Sequence, residues 1–187
     1  MAEKKYSKPY IPYKRKVVIE THPGTNIPLD CLINTALEEA ILGAIMIEQD
    51  TYSRVSEQLK VEMFYKEVHR KIFTAIVRLA LAKKTIDMHT VTEYLREWGC
   101  LDEIGGPEYI TLLTAKVCSI NHLEYHIRII RQKYLARELL RFSQIIQGKI
   151  SDSHTDIFEF IEQTEDAIHR LAYQARTMTD NRRKMSF

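Results

Sequence analysis

The stretch from Asn121 to Gln147 contains neither glycine nor proline, and no other feature of the sequence constrains the fold as strongly. Apolar residues recur along it at intervals of four and three, which is the spacing of one face of an α-helix. At 1.5 Å per residue, such a helix extends on the order of 40 Å, which exceeds the diameter of a small helical domain. We predict a single long helix that begins near Asn121, with Glu124 completing a cap pairing, and ends at Gly148.

A second long helix is predicted after the short polar turn Gln147–Ser153. Ser153 is the expected N-cap, and the apolar residues from Ile157 to Ala175 repeat at intervals of four and three. Because the connecting turn is short, the two helices must run antiparallel. Residues 121–175 are therefore predicted to form a helical hairpin.

The residues before the hairpin, 35–120, are predicted to form a head of short helices. Thr35 and Glu38 have the spacing of a capping box. Asp87 is placed to cap a further helix, and Gly99 follows the end of that helix. With only six glycines and five prolines in 187 residues, the chain has too few turn residues for a β-sandwich or barrel. The predicted fold class is all-α, a compact multi-helix head followed by a long antiparallel helical hairpin.

The two ends of the chain are basic, whereas its centre is acidic. The net charge is +4 over residues 1–24, −5 over 25–175 and +3 over 176–187. Four of the five prolines lie in residues 1–34, which predicts a flexible basic arm rich in Tyr and Pro. The acidic body argues against a nucleic-acid-binding domain, although the basic ends could still contact phosphate or an acidic partner.

The first hairpin helix carries two apolar stripes, because its pattern shifts by one residue between Tyr134 and Leu135. One stripe can pack against the sister helix. The other needs a second surface to cover it, which is either the head or another copy of the chain. A basic band on the first helix and an acidic band on the second could pair across the hairpin, with little net stabilisation. We assign the hairpin seam and a self-association interface to Ile127, Ile130, Tyr134, Leu139, Phe142, Ile146, Ile161, Ile168 and Leu171.

The sequence shows no catalytic, metal or cofactor motif. A phosphate-binding glycine loop and a nucleophile elbow are both absent. His122 and His126 have a metal-compatible spacing but no third ligand nearby, and His69 lies on an apolar helix face, which predicts a hydrogen-bonded core residue. Three widely spaced cysteines, without a membrane span or signal peptide, predict a cytoplasmic protein with reduced thiols. The chain is therefore predicted not to be an enzyme and to hold no cofactor.

Several segments in register resemble the N-terminal domain of DnaB-type replicative DNA helicases. The order and spacing agree from about Pro28 to Gln174. The segments are Leu37–Gly43, Phe64–Tyr65, His69–Arg70, Ile72–Phe73, Ile86–Asp87, Thr90–Val91, Gly105–Gly106 with Tyr109, Asn121 with Tyr125, Ile129, Arg131–Lys133 and Arg137–Leu139.

The resemblance implies a non-catalytic collar domain. Such domains pair through their hairpins, assemble into a hexameric ring as a trimer of dimers, and dock the C-terminal domain of primase. ATP and Mg are expected only in a separate RecA-like motor domain of an ATP-dependent DNA helicase. Contact with DNA is therefore expected to be indirect, and this chain is not expected to act as a helicase itself. Arg137, Glu138 and Arg141 are predicted to be exposed and to contact primase. Residues 176–187 correspond to the start of the interdomain linker, and the basic arm has no assigned role.

A second hypothesis treats the chain as a stand-alone helical nucleic-acid-binding or regulatory protein that acts through its basic tails. It predicts binding that weakens steeply with salt and is lost when residues 1–24 and 176–187 are removed.

Overall fold

The computed structural model describes residues 21–22, 24–116 and 122–184, with side chains through residue 176. Within these ranges the chain is helical, and its extended pairing is limited to one isolated bridge between Thr21 and Pro28. The all-α prediction is confirmed. A single turn of 3-10 helix, Val61–Met63, lies between α3 and α4. The helices are α1 Leu29–Leu32, α2 Thr35–Ile47, α3 Thr51–Val55, α4 Glu67–Leu81, α5 Met88–Glu97, α6 Leu101–Ile104, α7 Gly106–Ala115, α8 Leu123–Ser151 and α9 Ile157–Lys184.

The core of the head forms around α2, whose residues Ile41, Leu42 and Ile45 are inaccessible to solvent. Helices α4, α5 and α7 pack around it and contribute apolar faces spaced at three and four residues. The first two turns of α8 complete the same core with Leu123 and Ile127. The head therefore extends beyond residue 120 and takes in the start of the helix that forms the hairpin.

Two helix starts in the head test the predicted caps. The Asp87 carboxylate accepts hydrogen bonds from the backbone N–H groups of His89 and Thr90, and the Thr90 hydroxyl accepts one from the Asp87 N–H, so this cap is confirmed as a capping box. The predicted cap at Thr35 is wrong. Asn34 caps α2 instead, because its side-chain oxygen accepts from the N–H of Leu37 at 3.1 Å.

Glu38 does not reach back to cap α2 but points into the core, where it is fully buried. Its carboxylate accepts a backbone hydrogen bond from Tyr65 at 2.6 Å and a longer one from Lys66 at 3.4 Å. The same carboxylate lies 2.6 Å from Nδ1 of His69, and Nε2 of that ring lies 2.8 Å from the hydroxyl of Tyr109. The prediction that His69 is a hydrogen-bonded core residue is confirmed.

The network continues from Tyr109 to Glu39. The tyrosine hydroxyl donates to the Glu39 carboxylate at 3.3 Å, and the Lys116 ammonium donates to that carboxylate at 2.6 Å. Burial and the charge of Glu39 raise the pKa of Tyr109 to about 12, so this hydroxyl keeps its proton at neutral pH. Helices α2, α4 and α7 are thereby joined by a continuous polar chain through the core.

Three predicted boundaries differ from the structure. Residues 29–32, assigned to the flexible arm, form α1, which packs against α8. Helix α8 does not stop at Gly148 but continues to Ser151, since a glycine in open space lowers helix propensity without preventing helical geometry. Helix α9 continues past residue 175 to Lys184, so the expected linker at residue 176 is helical as far as it is described. Most of the predicted arm, the cap at Asn121 and Cys118 lie outside the described residues.

No helix among the described residues is long and apolar enough to cross a lipid bilayer.

Candidate docking interface

The hairpin consists of the C-terminal part of α8, a turn at residues 152–156, and α9. The predicted N-cap Ser153 is wrong because the chain makes a further turn before the helix begins, with the N–H of Thr155 donating to the carbonyl of Asp152. Asp156 is the residue that caps α9, and its carboxylate accepts from the N–H groups of Phe158 and Glu159 at 2.9 and 3.4 Å. A carboxylate at this position also interacts favourably with the positive end of the helix.

A groove of about 620 Å³ runs between α8 and α9. Phe142 and Ile145 line it from α8, and Phe160, Ala167 and Leu171 line it from α9. Both signs of charge border this apolar strip. The charged residues are Glu138, Arg141, Asp166 and Arg170.

Large apolar side chains on the hairpin remain in contact with solvent. Phe158 is 86% exposed, Ile161 58% and Ile168 50%. Leu139, Ile145, Ile150, Ile157 and Tyr173 are also exposed. Two antiparallel helices cover only one face of each other, so apolar side chains on the other faces need a further surface to bury them.

Each of the two ion pairs described on the hairpin helices lies within a single helix. Arg141 donates to Glu138 one turn earlier at 2.8 Å, and His169 lies 3.5 Å from Glu165 one turn earlier on α9. Neither pair joins α8 to α9. Among the described residues, the ion pairs therefore do not show the expected pairing of the basic band on α8 with the acidic band on α9.

The predicted interface residues fall into three groups. Ile127 and Ile130 are fully buried in the core of the head, and Tyr134 packs against that core. Our assignment of Ile127 and Ile130 to a hairpin surface is therefore corrected, since the head already covers them. Phe142 and Leu171 line the groove, and Ile146 is half-buried on the same helix as Phe142. The exposed members of the set are Leu139, Ile161 and Ile168.

The structure separates the three residues assigned to a primase contact. Arg137, expected to be exposed, is half-buried, and its guanidinium donates to the backbone carbonyls of Leu32 at 2.9 Å and Met63 at 2.7 Å. Glu138 is 26% exposed and Arg141 69% exposed. Sequence reasoning missed the role of Arg137 because its partners are backbone atoms more than 70 residues away, for which a sequence gives no signal.

The described residues show no cluster of His, Cys, Asp and Glu side chains that could hold a metal ion. His126, one of the i,i+4 pair, has its pKa lowered by burial and, to a smaller extent, by the neighbouring His122. Both rings lie at the start of α8, where the helix enters the head.

A helical head that carries a hairpin with exposed apolar side chains is typical of protein-interaction domains. The family model of the DnaB-like helicase N-terminal domain matches residues 32–132. The chain therefore belongs to the family of DnaB-like helicase N-terminal domains, as the resemblance in its sequence predicted.

Relatives of known identity agree with this assignment. The chain is 40% identical over 136 residues to the replicative DNA helicase DnaB of Rhodothermus marinus, covering 73% of this chain and 14% of that protein. It is 31% identical over 146 residues to DnaB of Treponema pallidum, covering 78% of this chain and 33% of that protein. The chain thus spans at most a third of the length of these two relatives.

Solved structures show the same fold. The crystal structure of the N-terminal domain of DnaB helicase from Mycobacterium tuberculosis superposes with a TM-score of 0.68 at 25% identity, covering 75% of this chain and 98% of that one. A DnaB-like replicative helicase, whose structure was described together with its interactions with primase, gives a TM-score of 0.61 at 21% identity. The match covers 82% of this chain and 35% of the helicase.

Proposed function

We propose that this chain is the non-catalytic assembly domain of a replicative DNA helicase and that its hairpin binds the hairpin of a second copy. The observation that supports this most directly is the exposure of large apolar side chains on α9, including Ile161 and Ile168, on the helix that forms one wall of the groove. Burying one large aliphatic side chain is worth roughly 1.5–3 kcal/mol, so covering several of them gives a strong drive to associate.

The charges around the groove favour a second copy of the same chain as the occupant. In a two-fold interface a surface meets itself, so it must be self-complementary. The apolar strip satisfies this condition, and its border provides both Glu138 and Asp166 for the Arg141 and Arg170 of the partner. We propose that three such dimers close into a hexameric ring.

Sedimentation velocity over a range of concentrations tests self-association. The wild-type chain is expected to shift from monomer to dimer as its concentration rises. Ile161→Asp/Ile168→Asp is expected to remain monomeric because it replaces two exposed apolar side chains of α9 by charges. Leu81→Asp is the matched control, since Leu81 is a 73% exposed apolar residue at the end of α4 in the head. A wild-type chain that stays monomeric at high micromolar concentration overturns the proposal.

We further propose that the same domain docks the C-terminal domain of primase. The support is the fold shared with the helicase described together with its interactions with primase, and the accessibility of Arg141. Titration of that primase domain into this chain by calorimetry is expected to give saturable heat, reduced by Arg141→Glu but not by Arg54→Glu, an exposed arginine on α3. The absence of heat and of co-elution contradicts docking.

ATP-driven unwinding of DNA in the cytoplasm is proposed for the whole protein, with the motor in the part of the relatives that this chain does not span. The alternative of a nucleic-acid-binding protein acting through its tails is disfavoured by the family assignment. Its salt-dependent binding would be detected by fluorescence anisotropy with a labelled oligonucleotide.

A further inference from the structure

The guanidinium of Arg137 caps two helix ends at once. Its two terminal nitrogens donate to the carbonyl of Leu32, the last residue of α1, and to that of Met63, the last residue of the 3-10 helix. Carbonyls at the end of a helix have no partner within it and carry the negative end of the helix dipole. The guanidinium is planar and holds its two terminal nitrogens at fixed positions, so it can donate to both carbonyls at once. A lysine ammonium is a single charged group on a flexible stem and cannot fix the two carbonyls relative to each other in this way.

Neighbouring groups hold Arg137 in this position. Its guanidinium carbon lies 5.7 Å from the centre of the Tyr65 ring and 5.9 Å from that of Tyr134. Burial lowers the pKa of Arg137, and the nearby Glu38 carboxylate opposes that effect. Lys133, one turn earlier on α8, donates to the carbonyl of Asp30 in α1. Helix α8 is thus fastened to the head through backbone atoms as well as through its apolar face.

The position of Arg137 along α8 determines how strongly these contacts restrict movement of the hairpin tip. Leu123 and Ile130, the first and last core residues of α8, are about 10 Å apart along the axis, whereas Leu123 and Arg137 are about 21 Å apart. The tip at Ser151 lies about 42 Å from Leu123. A displacement of about 1 Å at the last anchor therefore moves the tip by about 4 Å when that anchor is Ile130, and by about 2 Å when it is Arg137.

Tyr134 does not replace this anchor. It is half-buried, and one side of its ring lies against the Arg137 guanidinium, so removing the guanidinium also removes part of its support. The two helix ends that Arg137 joins, at Leu32 and Met63, are 31 residues apart in sequence. Arg137 is the point where α1, the 3-10 helix and α8 are held in one arrangement.

We propose that Arg137 is a positioning residue that fixes the direction of the hairpin relative to the head. Its role is internal to one chain and therefore does not depend on the proposed self-association. In any assembly built through the hairpin, it sets where the head of each subunit lies relative to the hairpin contact.

Pulsed electron–electron double resonance on the complete 187-residue chain tests the proposal. Nitroxide labels are attached to p-acetylphenylalanine at positions 97 in the head and 153 at the hairpin tip, both exposed, so the native cysteines are retained. A large excess of unlabelled chain restricts the measured distances to those within one molecule. The variants are Arg137→Met, Arg137→Lys and, as a matched control, Arg128→Met, which removes an exposed arginine from the same helix.

Arg137→Met is expected to widen the distribution of head-to-tip distances by up to about twofold, which is the ratio of the two lever arms when Ile130 becomes the last anchor, with circular dichroism unchanged. The distribution for Arg137→Lys is expected to lie between those of wild type and Arg137→Met, and the distribution for Arg128→Met is expected to match wild type. An unchanged distribution in a folded Arg137→Met overturns the proposal. So does a loss of head helicity in both Arg137 variants, because Arg137 would then be required for folding rather than for direction. Self-association measured separately on the same samples reports on the proposed function independently.

Discussion

Nδ1 of His69 lies 2.6 Å from Oε2 of Glu38, and both side chains are completely buried. The carboxylate also accepts from two backbone N–H groups in the segment that leads into α4, so a single glutamate on α2 organises both the start and the interior of its neighbour. A buried polar group is tolerated only when such partners replace water.

Glu38→Ala is expected to destabilise the head by about 3–5 kcal/mol, because it leaves the buried Nδ1 of His69 and two part-buried backbone donors without their acceptor. Urea unfolding followed by circular dichroism, at one protein concentration, gives the free energy of unfolding. Glu97→Ala on the exposed face of α5 is the control and should change it by less than about 0.5 kcal/mol. Equal effects of the two variants would contradict a structural role for Glu38.

Glu39→Gln is expected to reduce the loss in free energy of unfolding that accompanies a fall in pH into the acid range. Burial alone would raise the pKa of Glu39, but the hydrogen bond and charge of Lys116, with Lys66, lower it below the ordinary 4.5. The ionised carboxylate therefore stabilises the folded state above pH 4.5, and this contribution is lost as the pH falls through the lower folded value. Because both lysines are partly exposed, the contribution at neutral pH should be below about 1 kcal/mol.

The measurement is the free energy of unfolding between about pH 6 and pH 3 for wild type, Glu39→Gln and the exposed control Glu97→Gln. Wild type and the control should lose stability in parallel, while Glu39→Gln loses less. A Glu39→Gln profile parallel to that of wild type is the result that rejects this linkage.

Asp87→Ala should cost about 0.5–2 kcal/mol, because two N–H groups at the start of α5 lose their acceptor. Asp87→Asn keeps an oxygen at the same place and should stay close to wild type. Thermal melting monitored by circular dichroism distinguishes the two variants. The same loss in both would mean that charge, and not capping, is what Asp87 supplies.

Gly148→Ala should stabilise the chain by about 0.5–1 kcal/mol, because alanine is the better helix former and an added Cβ meets no atom within 4 Å. Gly105→Ala is the contrasting variant. Gly105 has a φ of +102°, and its added Cβ would lie 3.4 Å from the Cβ of Tyr109, so alanine there should destabilise. Differential scanning calorimetry at equal protein concentrations shows whether each variant is stabilised or destabilised. A destabilised Gly148→Ala would indicate that α8 does end at Gly148.

The predictions that depended on local sequence were largely confirmed. Helix periodicity identified α4, α5, α8 and α9, since three- and four-residue spacing is a property of the helix itself. Asp87 was identified as a cap because its partners are two and three residues away. The errors at Thr35 and Ser153 are shifts of one and three residues, at positions where several neighbouring polar side chains could each act as the cap.

The candidate interface was predicted less well. Ile127 and Ile168 have the same apolar character and helical spacing, yet one is sealed in the head and the other is exposed. A periodic pattern gives the face of a helix but not what covers that face. The network of Glu38, His69 and Tyr109 joins residues up to 71 positions apart, since Glu38 and Tyr109 both contact the same imidazole. Of these three residues, only His69 was predicted from the sequence to be a polar residue of the core.

The sequence by itself determined the helices, the antiparallel hairpin and the family, because each rests on the order and spacing of side chains along the chain. The tertiary structure decided which charges are structural. Arg137 and Arg141 are four residues apart on α8, and the sequence alone gives both the same role. Once the head folds, the ends of α1 and the 3-10 helix place unpaired carbonyls beside Arg137, while Arg141 remains 69% exposed. The difference comes from distant backbone atoms that only the folded chain brings together.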